Sequence, residues 1–368
     1  MKVLVTGANG FIAKNLISFL SEKKEIEVFS FSKDSTEEDL NHSIQDSDFI
    51  FHLAGVNRPS DNSEFAAVNT GLTEKILRQI KNSNRKIPIV FSSSTQVDLK
   101  NEYGKSKSDA EAAILDYSKH ADTPVYIFRM PNVFGKWTKT NYNSVVATFC
   151  YNIARSLPIQ INNPNTEITL VYIDDLIDQF WKILSGLENK SPFVEIKTTY
   201  KITLQDLADT LYSFRESRKN LISERVGIGL TRALYSTYMS YLEPASFVYE
   251  IPSYVDQRGV FVEMLKTKDS GQFSFFTAHP GITRGSHYHH SKSEKFLVIK
   301  GKARFGFRHI LTNERYTIYT SGEKPEVVET IPGWTHDITN IGSEEMIVML
   351  WANEIFDRTK PDTFSQKV

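Results

Sequence analysis

His287, His289 and Glu294 lie in the stretch Gly281–Gly301 and are residue types that bind a borderline divalent cation. Two imidazoles spaced i, i+2 leave the same face of a strand, and a glutamate after the following turn can join them, so the three can converge on one ion. A fourth donor is available at His336, which closes the run Ile331-Pro332-Gly333-Trp334-Thr335-His336 and is expected to end another strand. Three imidazoles and a carboxylate suit zinc, iron, nickel or manganese, with zinc the favoured ion. His279 and His290 make the region generally His-rich, and a surface histidine cluster is the competing reading. Strand alternation turns His290 and Lys295 away from their ligand neighbours, so neither is assigned a role.

A second set of reactive residues stands at the opposite end of the chain. Val3 to Ala13 reads V-L-V-T-G-A-N-G-F-I-A, which places Gly7 and Gly10 between an apolar run and an amphipathic one. Glycines there remove the Cβ atoms that would block a pyrophosphate, and the helix amino terminus beyond offers free N–H groups and a partial positive charge. Tyr103 and Lys107, as Y-x-x-x-K, fall on one helix face, where an ammonium beside a phenol lowers the phenol pKa and fits it for proton transfer to a carbonyl oxygen. Ser92-Ser93-Ser94-Thr95 closes the preceding apolar run and can hydrogen-bond the same carbonyl. The second strand ends Phe29-Ser30-Phe31-Ser32-Lys33, with no acid for a ribose 2′-hydroxyl, and Ser32 and Lys33 favour the 2′-phosphate of NADP over NAD. A solvated loop lysine is the alternative reading of Lys33.

The elements that must position these groups follow from the pattern. Strand-like runs at Lys2–Thr6, Glu27–Phe31, Phe49–Leu53, Ile87–Ser92 and Val125–Met130 alternate with helical runs at Phe11–Glu22, Glu64–Ile80 and Tyr103–His120, with room for only a small helix between Phe31 and Phe49. That alternation predicts a doubly wound parallel sheet with helices on both faces. Helical stretches at Asn143–Ser156, Asp174–Leu187, Leu204–Arg215 and Glu224–Leu242 are expected to cap the carboxyl edge of that sheet. After Glu243-Pro244 the texture changes to short β-branched and aromatic runs, beginning with Phe247–Ile251 and ending with Met346–Trp351, which predicts an all-β sandwich or small barrel. The boundary is placed between domains 1–243 and 244–368.

Composition limits the function classes. The 368 residues carry 43 basic and 44 acidic side chains, so no global field recruits nucleic acid or an anionic membrane, and anionic ligands must be held locally. No apolar run approaches the roughly 18 residues needed to span a bilayer. The lone Cys150 excludes an internal disulfide framework, and Met1-Lys2 leads into a strand without a secretory segment, which points to a cytoplasmic setting.

From T-G-A-N-G-F-I-A through H-L-A-G, F-S-S-S, Y-G-K-S-K, R-M-P-N-V-F-G and V-Y-I-D-D-L, residues 1 to about 242 resemble the extended short-chain dehydrogenase/reductases of the nucleotide-sugar-modifying kind, a Rossmann-type fold. The resemblance implies Ser94 as carbonyl-binding serine, Tyr103 as acid/base and Lys107 as its partner. It implies cofactor contacts from Gly7, Asn9, Gly10, Phe11, Ile12, Ser32, Lys33, Leu53, Ala54, Tyr103 and Lys107, and substrate contacts from Ser94 and Asn132. The spacing G-x5-H-x-H-x4-E-x6-G, then P-G-x2-H-x3-N ending at Asn340, resembles the paired cupin motifs, with the usual P-x-G shortened to Pro332-Gly333. The whole arrangement resembles the bifunctional capsular-polysaccharide enzymes that join such a reductase to a C-terminal metal cupin. That resemblance implies a pathway to UDP-N-acetyl-L-fucosamine. The cupin would epimerise C3 of UDP-2-acetamido-2,6-dideoxy-β-L-arabino-4-hexulose. The reductase would then use NADPH at the C4 ketone to give UDP-2-acetamido-2,6-dideoxy-L-talose. A homodimer is the expected assembly. Two competing expectations are a cupin isomerase of free sugars and a non-catalytic cupin that only dimerises the reductase.

Overall fold

Five short apolar strands near the amino terminus, β1 (Lys2–Thr6), β2 (Glu27–Phe31), β3 (Phe49–His52), β4 (Ile89–Ser94) and β5 (Val125–Met130), pair in parallel in the order β2-β1-β3-β4-β5. The structure is a computed structural model that describes residues 1–59, 61–187 and 192–368. The chain divides into two units, Met1–Leu211 with Arg232–Leu242 and Tyr212–Thr231 with Glu243–Val368.

In the first unit, strand alternation sends Leu4, Ile50, Phe91 and Ile127 to one side, where they meet Leu40 and Ile44 of α2 (Glu37–Asp46), Ile76 and Ile80 of α3 (Leu72–Asn82) and Ile114 of α4 (Glu102–Ala121). The short helix α2 forms despite its polar sequence because Thr36 and Asp39 make a reciprocal capping box. On the other side, α1 (Phe11–Ser21) and α6 (Ile173–Leu184) join through Phe19 and Trp181, while Phe180 packs on Phe51 and Phe128 at 5.4 and 4.9 Å. α6 therefore covers the sheet face and is not part of a cap, contrary to the sequence expectation; its apolar stripe is long enough to pair with the sheet itself. A small sheet, β6 (Asn132–Phe134), β7 (Glu167–Tyr172) and β8 (Tyr200–Thr203), was not expected from the pattern. Its strands are brief and pair with partners far along the chain. The helix expected over Glu64–Ile80 begins as a π-helical turn, Phe65–Gly71, a wider coil that accommodates an extra residue and is common beside functional sites. The helix α5 spans Val145–Ala154, capped by Ser144. The helix α7 spans Leu204–Asn220, and α8 spans Gly229–Met239.

The second unit is antiparallel β. One sheet has the order β10-β11-β12-β19-β14-β17, from β10 (Ser253–Asp256), β11 (Gly259–Thr267), β12 (Gly271–Ala278), β14 (Glu294–Lys300), β17 (Val327–Thr330) and β19 (Met346–Ala352), with β9 (Ile222–Ser223) added in parallel on β11. The other has the order β16-β15-β18-β13-β20, from β13 (Thr283–Tyr288), β15 (Lys302–His309), β16 (Arg315–Ser321), β18 (Trp334–Asn340) and β20 (Phe364–Ser365). Phe276, Phe296, Val298 and Val348 from the first meet Phe305, Phe307 and Ile338 from the second in one core. The expected strand at Phe247–Ile251 is absent; Phe247 and Val248 are exposed apolar residues without a ladder partner among the described residues.

Candidate active site and metal centre

The turn after β1 is built around Gly7, whose φ of +69° is a left-handed value and whose Cβ, were there one, would stand 2.7 Å from the Ala54 Cα. Gly10 caps α1 in extended conformation with no side chain on the first turn's N–H groups, which leaves them for a phosphate. The neighbouring loop after β3 is anchored by His52. Thr73 donates its hydroxyl to the Asn69 carbonyl at 2.6 Å, so it accepts from His52 Nε2 at 2.8 Å. His52 Nδ1 then accepts from the Thr6 hydroxyl at 2.7 Å, and Thr6 Oγ1 accepts from the Ala54 N–H. Burial, with Lys107 nearby, lowers the His52 pKa to about 3 and keeps this relay neutral.

These pieces form one wall of a cleft of about 1190 Å³ that also contains Ser92, Ser93, Ser94, Tyr103, Lys107 and Asn132. Two of the three serines have structural partners: Ser92 bonds the His52 carbonyl at 3.3 Å, and Ser93 bonds the buried Glu111, itself held bidentately by Arg129. Ser94 accepts from the Gln96 N–H and hydrogen-bonds the Tyr103 phenol. Asn101 caps α4 and so sets the phase that presents Tyr103 and Lys107 together. Lys107 is 5% exposed; its Nζ donates to the Ser92 carbonyl at 2.9 Å and sits 5.1 Å from the Phe91 ring. Burial lowers its pKa to about 8, with the Glu111 charge opposing that shift. The Tyr103 pKa is raised by burial, against the hydrogen bond from Ser94, which differs from the lowered value expected from the sequence; the lysine is turned onto a backbone carbonyl.

Asn9, Phe11, Ile12 and Leu53 line the cleft, whereas Ser32 and Lys33 lie outside its lining at the end of β2. Asp34, an acid the sequence reading did not weigh, lies 3.5 Å from the Asn9 amide. Sequence reasoning also missed Lys14, four residues after Gly10, and Arg58 and Lys139; among the described residues these and Lys107 are the cleft's basic side chains, against Glu102 alone as an acid. That balance suits an anionic ligand. It likewise missed Asn69, whose amide bonds Val56 and Ser106 and ties the β3 loop to α4 beside Lys107; a lone asparagine on a π-turn carries no local signal.

In the second unit one ligand atom from each of His287, His289, Glu294 and His336 lies within 4.8 Å of the others. The two histidines do not share a strand, as the spacing suggested. β13 has a bulge between Gly285 and His287, with Ser286 at φ +62°, and His289 lies just beyond the strand's end. His336 lies inside β18, opposite His287, rather than at a strand end. His289 Nε2 and His336 Nε2 each stand 3.3 Å from Glu294 Oε2. Neither ring nitrogen of the buried His336 makes a hydrogen bond among the described residues, as expected of an imidazole whose partner is an ion, so the donor set fits a divalent metal. Burial acts to raise the Glu294 pKa, but His289, His336 and Lys292 outweigh it and hold the carboxylate ionised. Lys292, which the sequence reading did not weigh, is buried with its Nζ 3.5 Å from Glu294 Oε1. His290 and Lys295 are exposed, and Lys295 pairs with Glu329.

A model of the NAD dependent epimerase/dehydratase family matches residues 3–196, and one of the polysaccharide biosynthesis C-terminal domain matches residues 254–364. The UDP-2-acetamido-2,6-beta-L-arabino-hexul-4-ose reductase of Pseudomonas aeruginosa is 57% identical, covering 100% of this chain and 99% of that protein. The GDP-6-deoxy-D-talose 4-dehydrogenase of Aggregatibacter actinomycetemcomitans is 30% identical over 52% of this chain and 73% of its own. The solved structure of the capsular polysaccharide assembling protein CapF from Staphylococcus aureus is 42% identical, with a TM-score of 0.92 over 100% of both chains. The chain belongs to the NAD dependent epimerase/dehydratase family and carries a polysaccharide biosynthesis C-terminal domain.

Proposed function

We propose that this family member is a bifunctional nucleotide-sugar enzyme whose first domain, 1–243, uses NADPH to reduce the C4 ketone of a UDP-linked 2-acetamido-2,6-dideoxy-4-hexulose. The second domain, 244–368, is a metal cupin that epimerises C3 of UDP-2-acetamido-2,6-dideoxy-β-L-arabino-4-hexulose beforehand. The product is UDP-2-acetamido-2,6-dideoxy-L-talose, on the way to UDP-N-acetyl-L-fucosamine and capsular polysaccharide. The observation that carries this reading is the presence of two reactive constellations in one chain that resembles a UDP-4-keto-sugar reductase from end to end.

The ketone links the two steps, since the C3 hydrogen is acidic only while C4 is a carbonyl. In the first domain the Gly7–Gly10 turn and the amino terminus of α1 hold the cofactor pyrophosphate, with Lys14 alongside. Bound NADPH supplies the hydride. The Ser94 hydroxyl would orient the ketone oxygen, Tyr103 would give it a proton, and Lys107 would hold positive charge in the same cleft. In the second domain, His287, His289, Glu294 and His336 would hold the ion, favoured as zinc, which when bound supplies Lewis acidity toward a ketone oxygen. Ser32 and Lys33 support NADPH, while Asp34 beside Asn9 is the group that would favour NADH.

A second reading, a reductase with a non-catalytic dimerising cupin, has its own support: four protein donors can fill a tetrahedral ion. We assign a homodimer in either case, on an apolar outer sheet face where Phe273 lies opposite Trp351, and Phe275 and Leu297 flank Met349. The buried, unpaired Cys150 suits a reducing cytoplasmic setting. The test is absorbance of NADPH and NADH in parallel with the UDP-4-keto sugar. Oxidation of NADPH that slows by roughly 10²–10⁴-fold in Tyr103→Phe is expected. Equal rates for wild type and variant would remove Tyr103 from the mechanism, and a preference for NADH would reassign the cofactor.

A further inference from the structure

The carboxyl-terminal segment crosses the metal cluster. β20 pairs with β13 so that Ser365 lies opposite the ligand His287 and Phe364 opposite Tyr288, whose rings stack at 5.4 Å. Two residues earlier, the Asp362 carboxylate accepts from the backbone N–H groups of His290, Ser291 and Lys292 at 2.9, 2.8 and 2.8 Å, and from the Ser291 hydroxyl at 3.0 Å. Three successive N–H groups converging on one anion form a cradle. Here the cradled anion belongs to the chain itself, 70 positions away from Lys292. The Asp362 carbonyl also contacts His289 Nδ1. A carbonyl can only accept, so Nδ1 carries a hydrogen, which leaves Nε2, 3.3 Å from Glu294 Oε2, as the nitrogen that would ligate a metal. Thr363 adds a contact to Lys292 Nζ at 3.4 Å.

We propose that Asp362 is a positioning residue of the metal centre: its carboxylate fixes the 290–292 turn, and its carbonyl fixes the tautomer and direction of His289, so that metal retention depends on the carboxyl-terminal strap. The inference rests on reading the four-residue cluster as a metal site. Neither ligand spacing nor strand pairing alone would hold His289, which lies past the end of β13 and beyond a bulge. The strap supplies the constraint that the strand does not.

The test uses the full chain and zinc, with affinity measured by competition against a chromophoric chelator and ligand geometry by the visible spectrum of the cobalt(II)-substituted protein. Wild type is expected to bind one zinc that is lost on replacing both His287 and His336 by Ala; absence of that zinc would sink the metal-site reading itself. Asp362→Ala is expected to weaken zinc binding by about 10–100-fold and to change the cobalt spectrum, with the far-ultraviolet circular dichroism and NADPH binding by the first unit unaltered. Asp362→Asn keeps one carbonyl oxygen for the cradle and is expected to fall between, and it decides the matter if the alanine variant does not fold. Wild-type zinc affinity and an unchanged cobalt spectrum in the variants, with the ligand variants still metal-free, would overturn the role of Asp362 and leave the metal site standing.

Discussion

Lys107 in the cleft of the first unit and Glu294 in the cluster of the second are both buried ionisable groups, and their surroundings act on them in opposite ways. Lys107 meets a single backbone carbonyl and an aromatic ring, so burial dominates and its pKa falls to about 8. Glu294 is also buried, yet His289, His336 and Lys292 outweigh burial and keep it ionised. The cleft therefore holds a proton that can leave near working pH, while the cluster holds a fixed negative charge that no ordinary pH neutralises. The first is suited to proton transfer, and the second to keeping a cation in place.

Removing metal separates the two regions most sharply: chelation is expected to abolish exchange at substrate C3 while leaving NADPH binding by the cleft intact, read by proton NMR and NADPH fluorescence on the same sample. Gly7→Ala tests the cleft's backbone, because a Cβ there would stand 2.7 Å from the Ala54 Cα in a left-handed conformation. We expect a stability loss of about 1–3 kcal/mol in denaturant melts, weaker cofactor binding and unchanged zinc affinity. The smallest effect is in pH. As pH rises through about 8, Lys107 loses its proton and kcat/KM for reduction falls. In the unfolded chain the lysine keeps its proton to about 10.4, so between these values the unfolded state binds more protons and this group makes the fold more stable as pH rises. The alkaline loss of rate should thus occur without a fall in melting temperature from this group; a melt that declines in step with rate would assign the loss to unfolding.

Much of this was legible in the sequence where chemistry and local pattern coincide. The glycines of the first turn, Tyr103 with Lys107, and the four metal-type ligands all lie in short motifs, and the structure brings each set together, with His289 and His336 at other strand positions than the spacing suggested. Long-range pairing was not legible. Nothing local marks the β13 bulge that moves His289 out of the strand, the three-residue strand that carries Asn132, or Asp362 reaching back to the ligand loop. Phe247–Ile251 failed in the other direction: its residues have strand propensity, but no neighbouring strand offers hydrogen bonds among the described residues. Lys292 was not weighed at all, because it lies in the turn between two strands, where no alternation reports which way a side chain faces.

The central claim is that the second unit does chemistry on the same ketone that the first reduces. Tyr103→Phe protein, incubated in D₂O with the UDP-4-keto sugar and no NADPH, isolates that step while proton NMR follows the C3 hydrogen. Loss of the C3 signal, abolished when His287 is also replaced, is the predicted result. A C3 signal that persists while wild-type protein still oxidises NADPH with the same sugar would contradict it, leaving a reductase joined to a non-catalytic β domain.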